Sequence, residues 1–353
     1  MNLFEKLYED DKLHTNFKSL LTDAHQGERA VMLNWSEDFP DRDKKFVKEF
    51  QTTFNSSFWE LYLYKLFKEM GFEFDWSFAS PDFALEHNGV EFIVEATISS
   101  NAQNEVEEWS QDIKTAYDEY DMNEKNMYSI IRLANSFFSK LSKYRDRDKH
   151  KTCYNTLPHV VDKPFVIAIA PYEQPLAFHQ YDRAIMALLY DYYVDEEEFL
   201  KTPEKFPYGP EGKSLEYVEK DNGTMISLGV FLNDKASEIS AVLFNPLATV
   251  GKVAHMKEGK QGFFRHIWHT QENTLKQTLK EEELIEDGLF VFHNPYAKHP
   301  LPREIFDRER VCQVFMDKRT QNLEKSFGAR HLSSRTTINL IVRDEPPEDW
   351  QGE

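Results

Sequence analysis

The chain has 353 residues, 41% of them hydrophobic and 14% aromatic, which is enough for a sizeable buried core. No apolar run reaches the roughly 20 residues that span a membrane, and the acidic first residues exclude an apolar signal core, so we expect a cytoplasmic protein. Two cysteines are too few for a disulfide framework or a zinc cluster. The net charge of −19 argues against a free-standing, tight nucleic-acid binder, because that affinity comes from clustered Lys and Arg.

The N-terminal part of the chain is predicted to be helical. Residues 1–45 have the pattern of short helical pieces, and a long helix should follow, because apolar residues recur three or four apart from position 47 to position 61. Gly71 is its expected end. Glu60 falls in a row of small and apolar residues, where an unpaired carboxylate is costly. Two interpretations are open: a glutamate paired with a lysine at the rim of the core, or a glutamate bound to a metal ion.

Residues 72–99 carry the clearest local pattern in the chain. Asn88-Gly89 separates two alternating runs, which is typical of a two-residue β-hairpin turn. Counting outward from that turn places Asp82 opposite Glu95. Opposed carboxylates repel each other, whereas a bound cation would make them a ligand pair. The alternative is an exposed hairpin face whose acids bind nothing.

Helices and buried strands are predicted to follow the hairpin. Residues 103–120 are amphipathic, and a second helix should run from about 127 to 144. Residues 164–170 form a continuous apolar run, which is typical of a strand buried on both faces. A strand, helices and such a strand indicate an α/β fold, in which helices flank a mixed central sheet. Residues 201–224 are predicted to be an insertion loop.

The C-terminal third is assigned from weaker patterns. We predict strands at 225–232, 239–244, 289–292 and 336–342, a loop with three lysines at 245–262, a partly helical run at 262–283 and an acidic tail at 346–353. His266 and His269 are three apart, and His293 and His299 flank a Pro-rich turn. A zinc site needs three or four converging ligands, so we interpret these as ordinary histidines. The sequence has no P-loop, which argues against an ATP motor.

The hairpin also contains a motif. Pro81-Asp82, twelve further residues and then Glu95-Ala96-Thr97 resemble the PD-(D/E)XK signature of restriction-endonuclease-like nucleases. The resemblance implies a restriction-endonuclease-like core within residues 46–345, with additional elements towards the C-terminus.

The resemblance also implies a metal site. Asp82 and Glu95 would hold Mg²⁺, for which Mn²⁺ can substitute, and the Ala96 carbonyl would complete the shell. In this family the helix before the hairpin commonly supplies a further glutamate, which corresponds to Glu60.

The chain departs from the family pattern at Thr97, where the family has a lysine. We propose that Lys140 replaces it, since such migration to a neighbouring helix is familiar in the superfamily. Lys140 is flanked by apolar residues, so its stem can lie on apolar surface while its head reaches a site. Arg132, on the same helix edge, is the second choice. The alternative is a surface lysine without a role in catalysis.

The resemblance implies a metal-dependent nuclease that hydrolyses DNA, with RNA less favoured, in bacterial defence against foreign DNA. One alternative is a catalytically inactive nuclease-fold protein that acts as a binding module in a larger complex. Another is a metal-free interaction protein whose hairpin matches by chance. A protein partner that supplies nucleic-acid affinity, and a homo-oligomer, are both compatible with the sequence.

Overall fold

A mixed sheet of eight strands forms the centre of the computed structural model, and helices cover both of its faces. The structure describes residues 1–338 except 43, 103–106, 108–109, 111–114, 117–120, 208, 260–262, 273 and 280. Its helices are α1 (Thr15–Leu20), α2 (Gln26–Trp35), α3 (Phe46–Thr52), α4 (Phe54–Glu69), α5 (Met122–Arg145), α6 (Arg183–Tyr190), α7 (Glu196–Lys201) and α8 (Val250–Met256). None of these described helices has the length and apolar content that a membrane crossing requires.

The strands of the central sheet come from most of the chain. They are β1 (Glu73–Phe74), β2 (Phe83–His87), β3 (Val90–Ser99), β4 (Phe165–Pro171), β9 (Ala241–Phe244), β12 (Phe290–His293), β13 (Cys312–Met316) and β14 (Leu323–Ser326), in that spatial order. β3, β4 and β9 are parallel neighbours, and β12 is parallel to β13. The remaining neighbours in the sheet are antiparallel, so the predicted mixed α/β architecture is confirmed.

Smaller sheets lie outside the central one. They contain β5 (Tyr193–Val194), β6 (Gly212–Lys213), β7 (Tyr217–Glu219), β8 (Met225–Ser227), β10 (Phe263–Thr270), β11 (Leu275–Leu279) and β15 (Arg330–Ile338). β10 lies between β11 and β15 in a three-stranded antiparallel sheet, which we call the small sheet. The other strands form two short pairs, β5 with β6 and β7 with β8, so strands also occur within the predicted insertion loop.

The hairpin has the predicted register. His87 pairs with Val90, and the ladder runs outward to the pair Phe83–Val94. Asn88 and Gly89 both have positive φ, 52° and 79°, as a type I′ turn requires.

The predicted long helix is two helices, α3 and α4. Thr53 separates them, with φ −127° and ψ 50°. Phe50 and Phe54 still pack ring to ring across this break, with centroids 5.1 Å apart. The apolar spacing therefore continues through the break and could not reveal it. As predicted, α4 ends just before Gly71, and the Phe72 N–H closes the helix by donating to the Phe67 carbonyl at 3.0 Å.

Two C-terminal predictions are wrong. Residues 245–262 are not simply a loop, because they contain α8. The described residues between 263 and 283 form β10 and β11 and contain no helix. The strand predicted at 225–232 is shorter than expected and comprises Met225–Ser227. Of the strand predicted at 336–342, residues 336–338 form the end of β15, and residues 339–342 lie outside the described residues. The helix predicted over 103–120 falls largely outside the described residues, and the acidic tail at 346–353 does so entirely.

Candidate metal and catalytic site

The two faces of the sheet have separate cores. Phe83 and Val94 pack with the side chains of α4 on one face. Ile93 packs with the side chains of α5 and α6 on the other. Since side chains alternate along a strand, Glu95 lies on the same face as Ile93, towards α5. Asp82 precedes β2 by one residue, directly beyond the last pair of the ladder, Phe83–Val94, and so lies beside Glu95 and Ala96 of β3.

Asp82 is held by backbone contacts at the open end of the hairpin. Its Oδ2 accepts a hydrogen bond from the Ala96 N–H at 2.7 Å. Arg42 fixes the segment in front of it by donating to the carbonyls of Phe78 at 2.6 Å and Asp82 at 3.0 Å. The Asp82 side chain is therefore positioned next to β3, although it lies outside a regular strand.

The backbone of Ala96 faces Asp82 rather than β4. The Ile93 N–H donates to Pro164 at 2.9 Å, so residues in phase with Ile93 turn their backbone groups towards β4. Ala96 is out of phase with Ile93, and its N–H points to Asp82. Its carbonyl points to the same side as its N–H, where β2 has already ended. This carbonyl is therefore not used in the ladder to β4.

Glu95 is almost completely buried, with 1% of its surface exposed. Its Oε1 accepts hydrogen bonds from Lys140 Nζ at 2.7 Å and Lys143 Nζ at 3.1 Å. Its Oε2 is buried and has no hydrogen-bond partner within the described part of the chain. The Tyr154 hydroxyl is close enough that the Glu95 charge, after the larger effect of burial, raises the pKa of that phenol.

The fold makes it costly for Asp82 to ionise. The pKa of Asp82 is raised to about 6, first by burial and then by the neighbouring charge of Glu95, while Lys140 acts in the opposite direction. A buried carboxyl whose proton affinity is raised by a neighbouring carboxylate is typical of a site that stabilises a cation.

The donor set suits a hard divalent cation such as Mg²⁺. Asp82, Glu95 and the Ala96 carbonyl offer only oxygen ligands, which Mg²⁺ prefers. Because both lysines contact Glu95 Oε1, the unsatisfied Oε2 is available to a cation.

The structure brings together some of the predicted site residues and not others. Asp82, Glu95, Ala96 and Lys140 are neighbours. Thr97 is half-buried and lies two residues after Glu95 on β3, on the same face of the strand. Glu60 is half-buried on α4, whose core packs against the opposite face of the sheet, so its place in a metal site stays a prediction.

The second choice for the missing lysine lies elsewhere. Arg132 donates to the carbonyls of Ser100 at 2.6 Å and Asn101 at 2.8 Å, where the chain leaves β3. Lys143, the other lysine that contacts Glu95, was not among the predicted site residues. Its position three residues after Lys140 on the same helix was the pattern that could have identified it.

One lysine of the predicted 245–262 loop is not on the surface. Lys252 is completely buried, and its Nζ lies 2.7 Å from Glu283 Oε1. It cannot contact a phosphate from there. A buried carboxylate can hold a lysine inside the core, and no local pattern indicated that Glu283 would be that partner.

Comparison of the chain with protein-family models, with curated proteins and with solved structures finds no match in any of the three. The chemistry of this site is therefore inferred from its own residues and their geometry.

Proposed function

We propose that this protein is a metal-dependent nuclease that hydrolyses phosphodiester bonds in DNA, with RNA less favoured. The proposal includes a restriction-endonuclease-like core, formed by the hairpin, β4 and the helices that flank them. The observation that carries it is the convergence of Asp82 and Glu95 at the end of the hairpin, with Lys140 Nζ 2.7 Å from Glu95.

In this proposal each residue of the site has a separate role. Asp82, Glu95 through Oε2, and the Ala96 carbonyl would hold the cation. Mg²⁺ bound there would lower the pKa of its water and stabilise charge on the phosphate. The Ala96 N–H keeps Asp82 oriented through the 2.7 Å hydrogen bond. Glu60 would bind the metal, or a water on it, only if its carboxylate reaches the site from α4.

Lys140 supplies the positive charge that Thr97 cannot. Its side chain is 19% exposed, so its stem is largely packed while Nζ reaches Glu95. Lys143 is 41% exposed and lies beside it. A cation on Glu95 would weaken the hold of that carboxylate on both lysines, and their ammonium groups would then be available to a phosphate oxygen.

An inactive binding module is the second candidate. The observation that favours it is that both lysines are already paired with Glu95, which leaves the carboxylate neutralised without a metal. The net charge of −19 favours it as well, since weak affinity for a phosphate backbone would then require a partner protein. For either candidate we propose a cytoplasmic location, on the strength of the composition and the N-terminal sequence, and for the nuclease a role in defence, which the resemblance implies.

The test is a cleavage assay of the purified protein on supercoiled plasmid, linear duplex, single-stranded DNA and RNA, with Mg²⁺, Mn²⁺ or chelator. We expect metal-dependent cleavage that falls at least about 100-fold in Asp82→Asn, Glu95→Gln and Lys140→Met, because each removes a ligand or a charge that acts on the reacting phosphate. Glu91→Gln is the matched control. Glu91 is on the same strand, exposed and paired with Lys163 at 3.0 Å, so this variant should cleave like the wild type.

Melting curves with and without Mn²⁺ separate the two candidates. A Mn²⁺-induced rise of the midpoint in wild type but not in Asp82→Asn, without any cleavage, would favour the binding module. Wild type that neither cleaves nor responds to Mn²⁺ would refute the metal site and leave only a metal-free binding module, in which Lys140 and Lys143 neutralise Glu95. Cleavage that persists in Glu95→Gln would refute the assigned nuclease site.

A further inference from the structure

A second cluster of ligand-type side chains lies far along the chain from the hairpin. It consists of His255 on α8, His266 on β10 and Glu283 between β11 and β12. All three are buried, with exposed fractions of 3%, 0% and 2%. We call it the His-His-Glu cluster.

The three inward atoms form a nearly regular triangle. His255 Nδ1 and His266 Nε2 are 3.4 Å apart, and each lies 3.6 Å from Glu283 Oε2. A point equidistant from three atoms at these separations is about 2.0 Å from each, which is the usual Zn–N and Zn–O bond length. Side chains from three separate parts of the chain are thus spaced like three ligands of one metal ion.

The contacts of Glu283 and His255 on their outer sides turn Glu283 Oε2 and His255 Nδ1 towards the centre of the cluster. Glu283 Oε1 accepts hydrogen bonds from Lys252 at 2.7 Å and Arg335 at 2.5 Å. Its Oε2 is buried and has no hydrogen-bond partner among the residues that the structure describes. His255 Nε2 contacts Thr337 Oγ1 at 3.0 Å, which orients the ring with Nδ1 inward, as outer contacts do at metal-bound histidines.

Protons alone satisfy this arrangement poorly. Three acceptor-capable atoms face one another within 3.6 Å, and the two distances to Glu283 are longer than a hydrogen bond. Each ring can direct an N–H at Glu283 Oε2, but only across 3.6 Å, whereas one metal ion at the centre would lie within bonding distance of all three atoms.

We propose that the His-His-Glu cluster is a Zn²⁺ site that fastens the small sheet to the rest of the chain. Two imidazoles and one carboxylate are a donor set that zinc favours and Mg²⁺ does not. Because two cations already neutralise Glu283, the affinity must come from the imidazoles, which makes the site selective for zinc. The metal joins β10 to α8, which follows β9 of the central sheet, and to the segment leading into β12. This site is independent of the proposed nuclease centre.

The test starts with protein stripped by a chelator, returned to buffer and checked for its fold by circular dichroism. Zn²⁺ is then titrated against a chromogenic chelator, and Co²⁺ is used as an absorbing substitute. We expect about one Zn²⁺ per wild-type chain, undisturbed by excess Mg²⁺, and the visible absorption of low-coordinate Co²⁺. His266→Asn should weaken binding at least about tenfold.

Two control variants locate the binding. His269→Asn changes a histidine on the same strand whose ring stacks on Tyr181 outside the cluster, and Asp82→Asn alters the hairpin site. Both should bind zinc like the wild type. If His266→Asn does not fold, hydrogen exchange of the wild type with and without Zn²⁺ is measured in place of the variant. Zn²⁺ should then slow amide exchange in α8 and β10.

Each contrary outcome overturns the proposal. Wild type that takes up no Zn²⁺ after chelation refutes the site. Zinc uptake that survives in His266→Asn, or that is lost in Asp82→Asn, also refutes it. Zn²⁺-induced protection from hydrogen exchange that is confined to the hairpin does so as well.

Discussion

Asp82 is the residue whose ionisation the fold opposes most directly at the candidate site. Its pKa rises from 3.8 to about 6, first through burial and then through the charge of Glu95. The folded chain therefore holds this proton more tightly than the unfolded chain. Between about pH 4 and pH 6 the free energy of unfolding falls, on account of this group, as the pH rises.

Asp82→Asn should remove this penalty, because an amide has no charge and its oxygen can still accept the Ala96 N–H. In the presence of chelator we expect the variant to match the wild type near pH 4 and to exceed its stability by on the order of 1–3 kcal/mol at pH 7. Urea unfolding at several pH values measures the difference. Glu91→Gln is the control and should show no such trend. A variant less stable than the wild type at pH 7 would contradict this account of Asp82.

The candidate site was predictable from sequence to the extent that its contacts are local. The two-residue turn at Asn88-Gly89 sets the register out to Phe83–Val94 by counting alone, and this brings Asp82 beside β3 at Glu95 and Ala96. Lys140 is 45 residues away from Glu95, and its apolar flanks indicated only that its head could reach a neighbouring site. The His-His-Glu cluster was not predictable, because its members come from a helix, a strand and an irregular segment whose packing no local pattern encodes.

At the scale of secondary structure, α5 shows what a sequence pattern can overlook. The predicted start at 127 came from the apolar spacing, whereas the helix begins at Met122. Asp121 caps it, and its Oδ1 accepts the Glu124 N–H at 2.9 Å. An aspartate three residues before a glutamate is a helix-start pattern that the apolar spacing alone misses.

Removal of this cap should destabilise the whole protein modestly. We expect Asp121→Ala to lower the free energy of unfolding by about 1 kcal/mol, because a backbone N–H of the first turn loses its acceptor. Asp148→Ala, an exposed position just beyond the other end of α5, should change it by less than about 0.5 kcal/mol. Urea denaturation of both variants gives the comparison. Equal effects at the two positions would show that the cap contributes nothing measurable.

The misassignment of β10 has a physical reason. Its buried positions are Phe264, His266 and Trp268, which alternate along the strand as expected for one covered face. Since histidine is classed as a polar residue, the alternation of buried and exposed positions does not appear as an alternation of apolar and polar residues in the sequence. Histidine is buried here because partners from α8 and from the segment before β12 surround it. Tertiary contacts have thus overridden the local pattern.

At the scale of the whole molecule, strand order was the least predictable feature. The sequence indicated a mixed sheet, and β4 was correctly identified as a strand buried on both faces. That β9 lies beside β4, and β12 beside β9, depends on pairings between segments about 50 to 75 residues apart. Such pairings leave no local mark in one sequence.

The N-terminal helices share a core with α4. Phe17 and Trp35 are buried in the same cluster as the α4 side chains on one face of the central sheet. The Trp35 ring lies 6.0 Å from Phe58 and 6.2 Å from Tyr62. Residues 1–45 therefore contribute to the core that positions β3, and we expect them to unfold together with the sheet.

Trp35→Ala tests this cooperativity. Loss of a fully buried indole should lower the free energy of unfolding by about 3–5 kcal/mol, through lost apolar burial and the cavity that remains. Leu33→Ala, at a position on the same helix that is 38% exposed, is the control and should cost far less. If the chain is one cooperative unit, hydrogen exchange in Trp35→Ala should accelerate equally for the slowest amides of α2 and β4. Acceleration confined to α2, with β4 unchanged, would instead show that the N-terminal helices open on their own and that the sheet holding Asp82 and Glu95 is stable without them.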